Sequence, residues 1–340
     1  MNRRAAALAI CTAAVLVGGC EKRTTRVVKP GKEQKKKVLR IGLIAKSSTN
    51  PVFQAALNGA RAKAKELNEK HKGKVEVVID WQTPPNEDAD KQANYIKQLV
   101  DKGADAIIIS CSDAHAVTGA IDSAVEKAHV PVMCFDSDAP QSKRFAYFGV
   151  DDIETGKQVM KHLAQEMGGK GVVAILAGNP NAPNLQRRVR GVRQEAGNHP
   201  NITIKEVYYH AETPEDAAAR VQQVMNAHPD INGWAMVGGW PLFTEALARD
   251  WKPEVKVVAV DALPAQLLYV EKGITPVLLA QKVFDWGYVS TDIAFRKVYL
   301  GEEVPPRTIS ELVPVTKDNL KDWAEKLQAW GFKVNPRYLK

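Results

Sequence analysis

The chain has 340 residues, 45% of them hydrophobic and 25% charged, an ordinary globular composition with material for two cores of roughly 150 residues each. Its formal charge of +8 raises the question of a nucleic-acid partner, which the distribution of that charge excludes. Residues 21–40 hold nine Lys or Arg against Glu21 and Glu33, and Arg3 and Arg4 bring the first forty residues to +9, so residues 41–340 carry −1.

In chain order, the first segment reads as an export signal. Arg3 and Arg4 precede an apolar run, 5–17, too short for a membrane span of about 20 residues, and the run ends at Gly18, Gly19 and Cys20. A cysteine after two glycines resembles the lipobox of bacterial lipoproteins, which makes Cys20 the expected lipid anchor; a plain cleaved signal with an incidental cysteine is the alternative. Residues 21–37 then read as a basic tether beside anionic headgroups. This places the protein in the periplasm or at the cell surface, anchored to a membrane. Of the other cysteines, Cys11 lies in the signal. Cys111 and Cys134 fall in or just after apolar runs and read as buried thiols, with a bridge between neighbouring strands as the alternative.

From residue 38 onward one unit repeats: a short apolar β-branched run, a turn, then a stretch of helical period. Strands are expected at 38–45, 75–81, 106–110, 130–136, 145–150, 171–178, 202–209, 233–238, 256–261 and 275–281. Helices are expected at 51–70, 89–102, 114–128, 153–167, 186–197, 214–227, 282–300 and 319–330. Such alternation predicts an α/β fold of parallel sheets covered by helices on both faces. Ten strands exceed one core, and the link from Asp136 to Phe145 has no helix, so we expect two doubly wound lobes joined by a three-crossing hinge. The N-terminal lobe takes 38–150 plus 282–310 and the C-terminal lobe 151–281 plus 311–340.

In open parallel sheets ligands bind beyond the carboxyl ends of the strands. The residues expected there are Asn50 and Phe53 after the first strand, Trp81 after the second, and Asp136 with Ser137 after the fourth. In the second lobe they are Asn179 to Asn184 with Arg188 beyond, then Trp240, Asp261 and Gln281. Asp113 and Thr213 also stand at strand ends but read as helix caps. Trp286 reads as packing, and His210 and His115 stand alone, far from any metal-ligand spacing. Planar carboxylate, amide and guanidinium groups can bond two adjacent hydroxyls at once, and aromatic faces cover the C–H side of a sugar ring, so this set describes a carbohydrate site.

At this point the chain resembles the ribose- and glucose-type periplasmic sugar-binding proteins of ABC importers, of the type I periplasmic binding protein fold, over nearly all of 38–317. The resemblance is carried by Ser47, Ser48 and Thr49 with Asn50, Pro51, Val52 and Phe53; by 103–109 and 130–132; by Arg187, Arg188, Val189, Arg190 and Gly191; and by 227–231 and 257–261. It implies sugar contacts from Asn50, Phe53, Asp136, Arg188, Asp261 and Gln281. Three positions depart from the ribose binders: Val52 replaces an aromatic, Ser137 an arginine and Gly239 an asparagine. Residues 135–140 look more like a glucose-binding branch, with Trp240 supplying the missing aromatic face.

The resemblance therefore implies a monomeric receptor, without cofactor, metal or catalytic residue, that delivers a small sugar to an ABC permease. A sensor presenting its closed form to a chemoreceptor or histidine kinase is the alternative. An enzyme reading fails, because residues 45–50 have no glycine-rich phosphate loop and neither a nucleophile elbow nor a zinc spacing appears. A repressor of this fold would need a helix-turn-helix where the export signal stands.

Overall fold

The computed structural model describes Lys36–Lys340 apart from Asp250, so the signal, Cys20 and most of the tether lie outside the described residues. Lys37, expected in the tether, already belongs to β1 (Lys37–Ile44), its amide bonded to the Lys74 carbonyl. The next element, α1 (Pro51–Lys70), starts where the Asn50 side chain accepts the Val52 amide and Pro51 presets the first turn. Val52, Phe53, Ala56, Ala60, Ala64 and Leu67 form its buried stripe.

The first sheet comprises β1, β2 (Val75–Trp81), β3 (Ala106–Ile109), β4 (Val132–Phe135), β5 (Ala146–Gly149) and β11 (Thr308–Ile309). Their order is β11-β5-β4-β3-β1-β2, with every pair parallel. Helices α2 (Ala89–Asp101) and α3 (Ala114–Glu126) cover one face, with Asp113 accepting two backbone amides as the cap of α3. The other face takes α1 and, returning from the second lobe, α8 (Val283–Phe295). These two cross so closely that a Cβ on Gly287 would stand 1.8 Å from the Ala56 carbonyl oxygen. Cys111 and Cys134 are buried and unbonded, their sulfurs 3.8 Å apart.

The second sheet repeats the plan with β6 (Lys170–Ala177), β7 (Asn201–Tyr209), β8 (Gly233–Met236), β9 (Lys256–Val260), β10 (Leu278–Ala280) and β12 (Val313–Val315), in the order β12-β10-β9-β8-β6-β7. It is parallel except at one edge, where β12 runs antiparallel to β10. Helices α4 (Asp152–Glu166) and α5 (Pro183–Ala196) pack on each other, α6 (Pro214–Ala227) follows β7, and α7 (Leu267–Glu271) is a short turn before β10. A Cβ on Gly156 would stand 1.9 Å from the Arg188 carbonyl oxygen, so α4 and α5 also meet backbone to backbone.

The chain passes between sheets from β5 to α4, from β10 to α8 and from β11 to β12. The last helix, α9 (Leu320–Ala329), does not stay with the second lobe. Trp323 donates its indole N–H to the Ala262 carbonyl at 2.7 Å, while the Trp330 ring stacks on Phe284 and its carbonyl accepts from Asn58 of α1. Among the described residues no helix is long and apolar enough to cross a membrane.

Candidate functional site

The carboxyl ends of both sheets meet at one void lined by Lys46, Asn50, Val52, Phe53, Asp136, Asn184, Leu185, Arg188, Glu212, Gly238, Trp240, Asp261, Gln281 and Trp286. Its volume is about 30 Å³, so a sugar ring enters only if the lobes part. A larger hollow of about 500 Å³ between α1 and β2, lined by Arg61, Lys65 and Lys72 among others, holds none of the strand-end residues.

Three side chains of the void sit on left-handed backbone: Asp136 at φ 53°, Glu212 at 56° and Asp261 at 71°. Such conformations cost a non-glycine residue on the order of 1–3 kcal/mol and persist only where the surroundings enforce them. All three carboxylates border the void, Asp136 and Asp261 directly after their strands and Glu212 in the loop beyond β7.

Arg188 is the fixed point of the second lobe. Its buried guanidinium pairs with Asp152 at 3.0 Å and donates to the Val237 carbonyl at 3.1 Å and to Gln281 Oε1 at 2.8 Å. Gln281 in turn donates to Asp261 at 2.8 Å, which fixes its amide orientation. Burial raises the Asp261 carboxyl above its ordinary value, against the opposing pull of Gln281 and Arg188. Burial likewise raises Asp152, against the opposing pull of Arg188 and Arg187, which pair with it from two sides. From the first lobe, Asp136 accepts from Ser110 Oγ at 2.8 Å and, across the gap, from Asn184 of α5 at 3.3 Å.

A second cluster joins the lobes. Lys46, after β1, lies 2.8 Å from Glu87 of its own lobe and 3.2 Å from Glu212, beyond β7 in the other. Asn179 donates its amide N–H to Glu212 at 2.9 Å and its side chain to Glu87 at 3.2 Å. Burial works against the Lys46 charge, but Glu212, Glu87 and Asp136 together raise its pKa. Burial and the neighbouring Glu87 push Glu212 up to about 8, while at Glu87 burial is overcome by Lys46 and the hydrogen bonds of Glu212 and Asn179 acting together, and its pKa is lowered. The two carboxylates thus share one lysine and divide their proton unequally.

The aromatic walls come from Phe53, Trp240 and Trp286. Phe53 packs on Trp286 with ring centroids 5.9 Å apart, and Trp240 meets the His210 ring edge-on at 5.0 Å. The indole N–H of Trp240 and Nε2 of His210 are buried with no hydrogen-bond partner among the described residues.

Of the side chains expected from sequence, Asn50, Phe53, Asp136, Arg188, Trp240, Asp261 and Gln281 line the void. Trp81 does not: β2 is the outer strand of its sheet, and the indole packs against the apolar core opposite Leu43. Ser137 is also absent from the lining, being fully buried behind Asp136. Trp286, read as packing, both packs and lines the void. Lys46 and Glu212 were missed. Neither ends a strand, and what marks them is a partner in the opposite lobe.

The model of the family described as "Periplasmic binding protein domain" matches residues 41–303. The ribose import binding protein RbsB of Bacillus subtilis is 25% identical over 229 residues, which cover 67% of this chain and 71% of that protein. The D-ribose/D-allose-binding protein of Pseudomonas aeruginosa is 25% identical over 238 residues, covering 66% of this chain and 72% of that one. Among solved structures, GanP, a glucose-galactose binding protein from Geobacillus stearothermophilus, is 25% identical, with a TM-score of 0.76 over 84% of this chain and 99% of its own. An ABC transporter solute-binding protein from Burkholderia graminis in complex with D-arabinose has the same fold, with a TM-score of 0.76 at 24% identity over 84% of this chain and 98% of its own. The match to the family model spans most of the chain and both lobes, and on that ground the protein belongs to the periplasmic binding protein family, as a solute-binding protein and not an enzyme.

Proposed function

We propose that the protein grips one small sugar between its lobes and delivers it to an ABC permease. The observation that carries this reading is the convergence of Asp136, Arg188, Asp261 and Gln281 from two separate sheets on one void walled by Phe53, Trp240 and Trp286. In this reading Asp136, Arg188, Asp261 and Gln281 bond the hydroxyls, and the rings cover the sugar's apolar face. Asn184 exchanges its contact with Asp136 for one to the ligand. A wrong epimer leaves a buried polar group unpaired, at about 1–3 kcal/mol each, which is the source of selectivity. Binding draws the lobes together, and the permease reads the closed pair of lobe tips. Names of relatives that bind ribose, allose and apiose support a pentose or hexose as guest.

The test is a thermal-shift panel of aldoses and polyols on the purified protein. At least one is expected to raise Tm in a concentration-dependent way. Asp136→Asn, which keeps the shape of the side chain, is expected to weaken that ligand roughly ten- to a hundredfold, the size of a lost charged hydrogen bond. A flat panel is the result that removes the reading. We also propose that Cys20 carries the lipid that holds the protein to a membrane as a monomer; Cys20→Ser should move it from the membrane fraction to the soluble one.

A further inference from the structure

Beyond the void a second space opens between the lobes. A groove of about 440 Å³ is lined by Asn86 and Glu87 of the first lobe and by Asn179, Pro180, His210 and Thr213 of the second, with Glu212 bordering both spaces. Its volume falls within the range of small-molecule sites, roughly 300–1,000 Å³. The partition between groove and void is the Lys46, Glu87 and Glu212 cluster. Two of its members belong to one lobe and the third to the other. A void of about 30 Å³ takes no sugar ring until the lobes separate, and that movement splits the partition. The two spaces then become one trough.

His210, on the groove wall, carries a buried donor without a partner among the described residues. His210 is 7% exposed, and its Nδ1 accepts the Glu212 amide at 3.0 Å, so in the neutral ring the proton sits on Nε2. Nε2 has no acceptor among the described residues. Burial holds the ring's pKa down at about 4, so the imidazole stays neutral near pH 7 and keeps that single N–H. An unpaired buried donor costs on the order of 1–3 kcal/mol, which a ligand oxygen placed there recovers. The side-chain amides of Asn179 and Asn86 stand on the same walls.

We infer that the cleft is a trough of two compartments and that its natural guest is a glycoside of two rings. One ring is held at Asp136, Arg188 and Asp261, and the other lies in the groove against His210 and Asn179, with the glycosidic link passing Glu212. This inference rests on the sugar reading above.

Isothermal titration of the purified protein with glucose, galactose, xylose and arabinose, each beside α- and β-linked disaccharides that contain it, tests both claims separately. At least one disaccharide is expected to bind tenfold or more tightly than its constituent sugar. His210→Phe keeps a ring against Trp240 and removes the donor together with the acceptor of the Glu212 amide, and Asn86→Ala alters only an exposed wall. Each is expected to weaken the disaccharide, by about tenfold and about threefold respectively, while leaving the single sugar within twofold. A single sugar that binds while no disaccharide binds more tightly overturns the second compartment and leaves the sugar reading standing. Tight disaccharide binding indifferent to both substitutions overturns it too. A panel in which nothing binds overturns both.

Discussion

Lys46, Glu87 and Glu212 tie the lobes together through one cation and two carboxylates, and their titration has a definite sign. Glu212 is raised from 4.5 to about 8 in the folded protein, first by burial, so between those values it keeps a proton that the unfolded chain has released. That contribution to stability is full below the unfolded value and is lost as pH rises through about 8. Glu87, held low by Lys46, contributes with the opposite sign: its share is present above its ordinary value and is lost as pH falls. Relative to Glu212→Gln, the parent protein should therefore lose roughly 2–4 °C of Tm as pH rises from about 5 to about 8. Parallel profiles for parent and variant would show that the buried carboxylate does not titrate in that window. Asp152 gives a sharper case, because it is the buried counter-ion of both Arg187 and Arg188. Removing one partner of a buried pair leaves an uncompensated charge, so Asp152→Ala should cost about 3–5 kcal/mol in denaturant unfolding, well beyond an average substitution. Asp136 and Asp261 were legible in the sequence because each stands at the last position of an apolar run, where an acid has no packing reason to be. Lys46 and Glu212 carry no such mark. Glu212 precedes the Thr213 cap of α6 and looks like an ordinary loop acid until the opposite lobe supplies its lysine.

At the scale of elements, the position of Arg188 depends on how closely α5 lies on α4. Gly156 permits that approach, since a Cβ there would meet the Arg188 carbonyl oxygen at 1.9 Å. The contact is backbone on backbone and has no flexible end to yield, so Gly156→Ala should push the helices apart at about 1–3 kcal/mol. The displaced guanidinium should also weaken the ligand found in the thermal-shift panel about tenfold, measured by titration. An unchanged affinity would mean that α5 can shift without carrying its arginine. Most helices and strands could be read within a residue or two, because their apolar periods are long enough to count: 51–70 and 214–227 coincide with α1 and α6. The start of α5 fell three residues earlier than its period suggested, at Pro183, because Ala182 offers no capping side chain to announce it. Strands β11 and β12 escaped notice altogether, since two or three residues display no alternation.

For the whole molecule, ligand binding should be visible through the tryptophans. Trp240 and Trp286 border the void from opposite lobes, so sugar uptake should change the intrinsic emission, and Trp240→Phe should remove much of that change. The same emission with and without ligand would place the guest elsewhere. Two lobes followed from the alternation, the number of strands and the helixless link from Asp136 to Phe145, and the rule that ligands gather beyond the carboxyl ends found most of the cleft. What alternation could not supply was the joint: α9 resting on both halves, and one sheet closed by an antiparallel edge. Strands β11 and β12, only a few residues apart near the end of the chain, each add the outermost strand to a different sheet. During synthesis, a polypeptide that has not yet reached residue 308 has two bare borders, on β5 and on β10, where a foreign strand could add. The two halves are therefore sealed in one late event, when almost the entire polypeptide has been made, and truncation even slightly upstream of that point should produce aggregation in place of a single functional half.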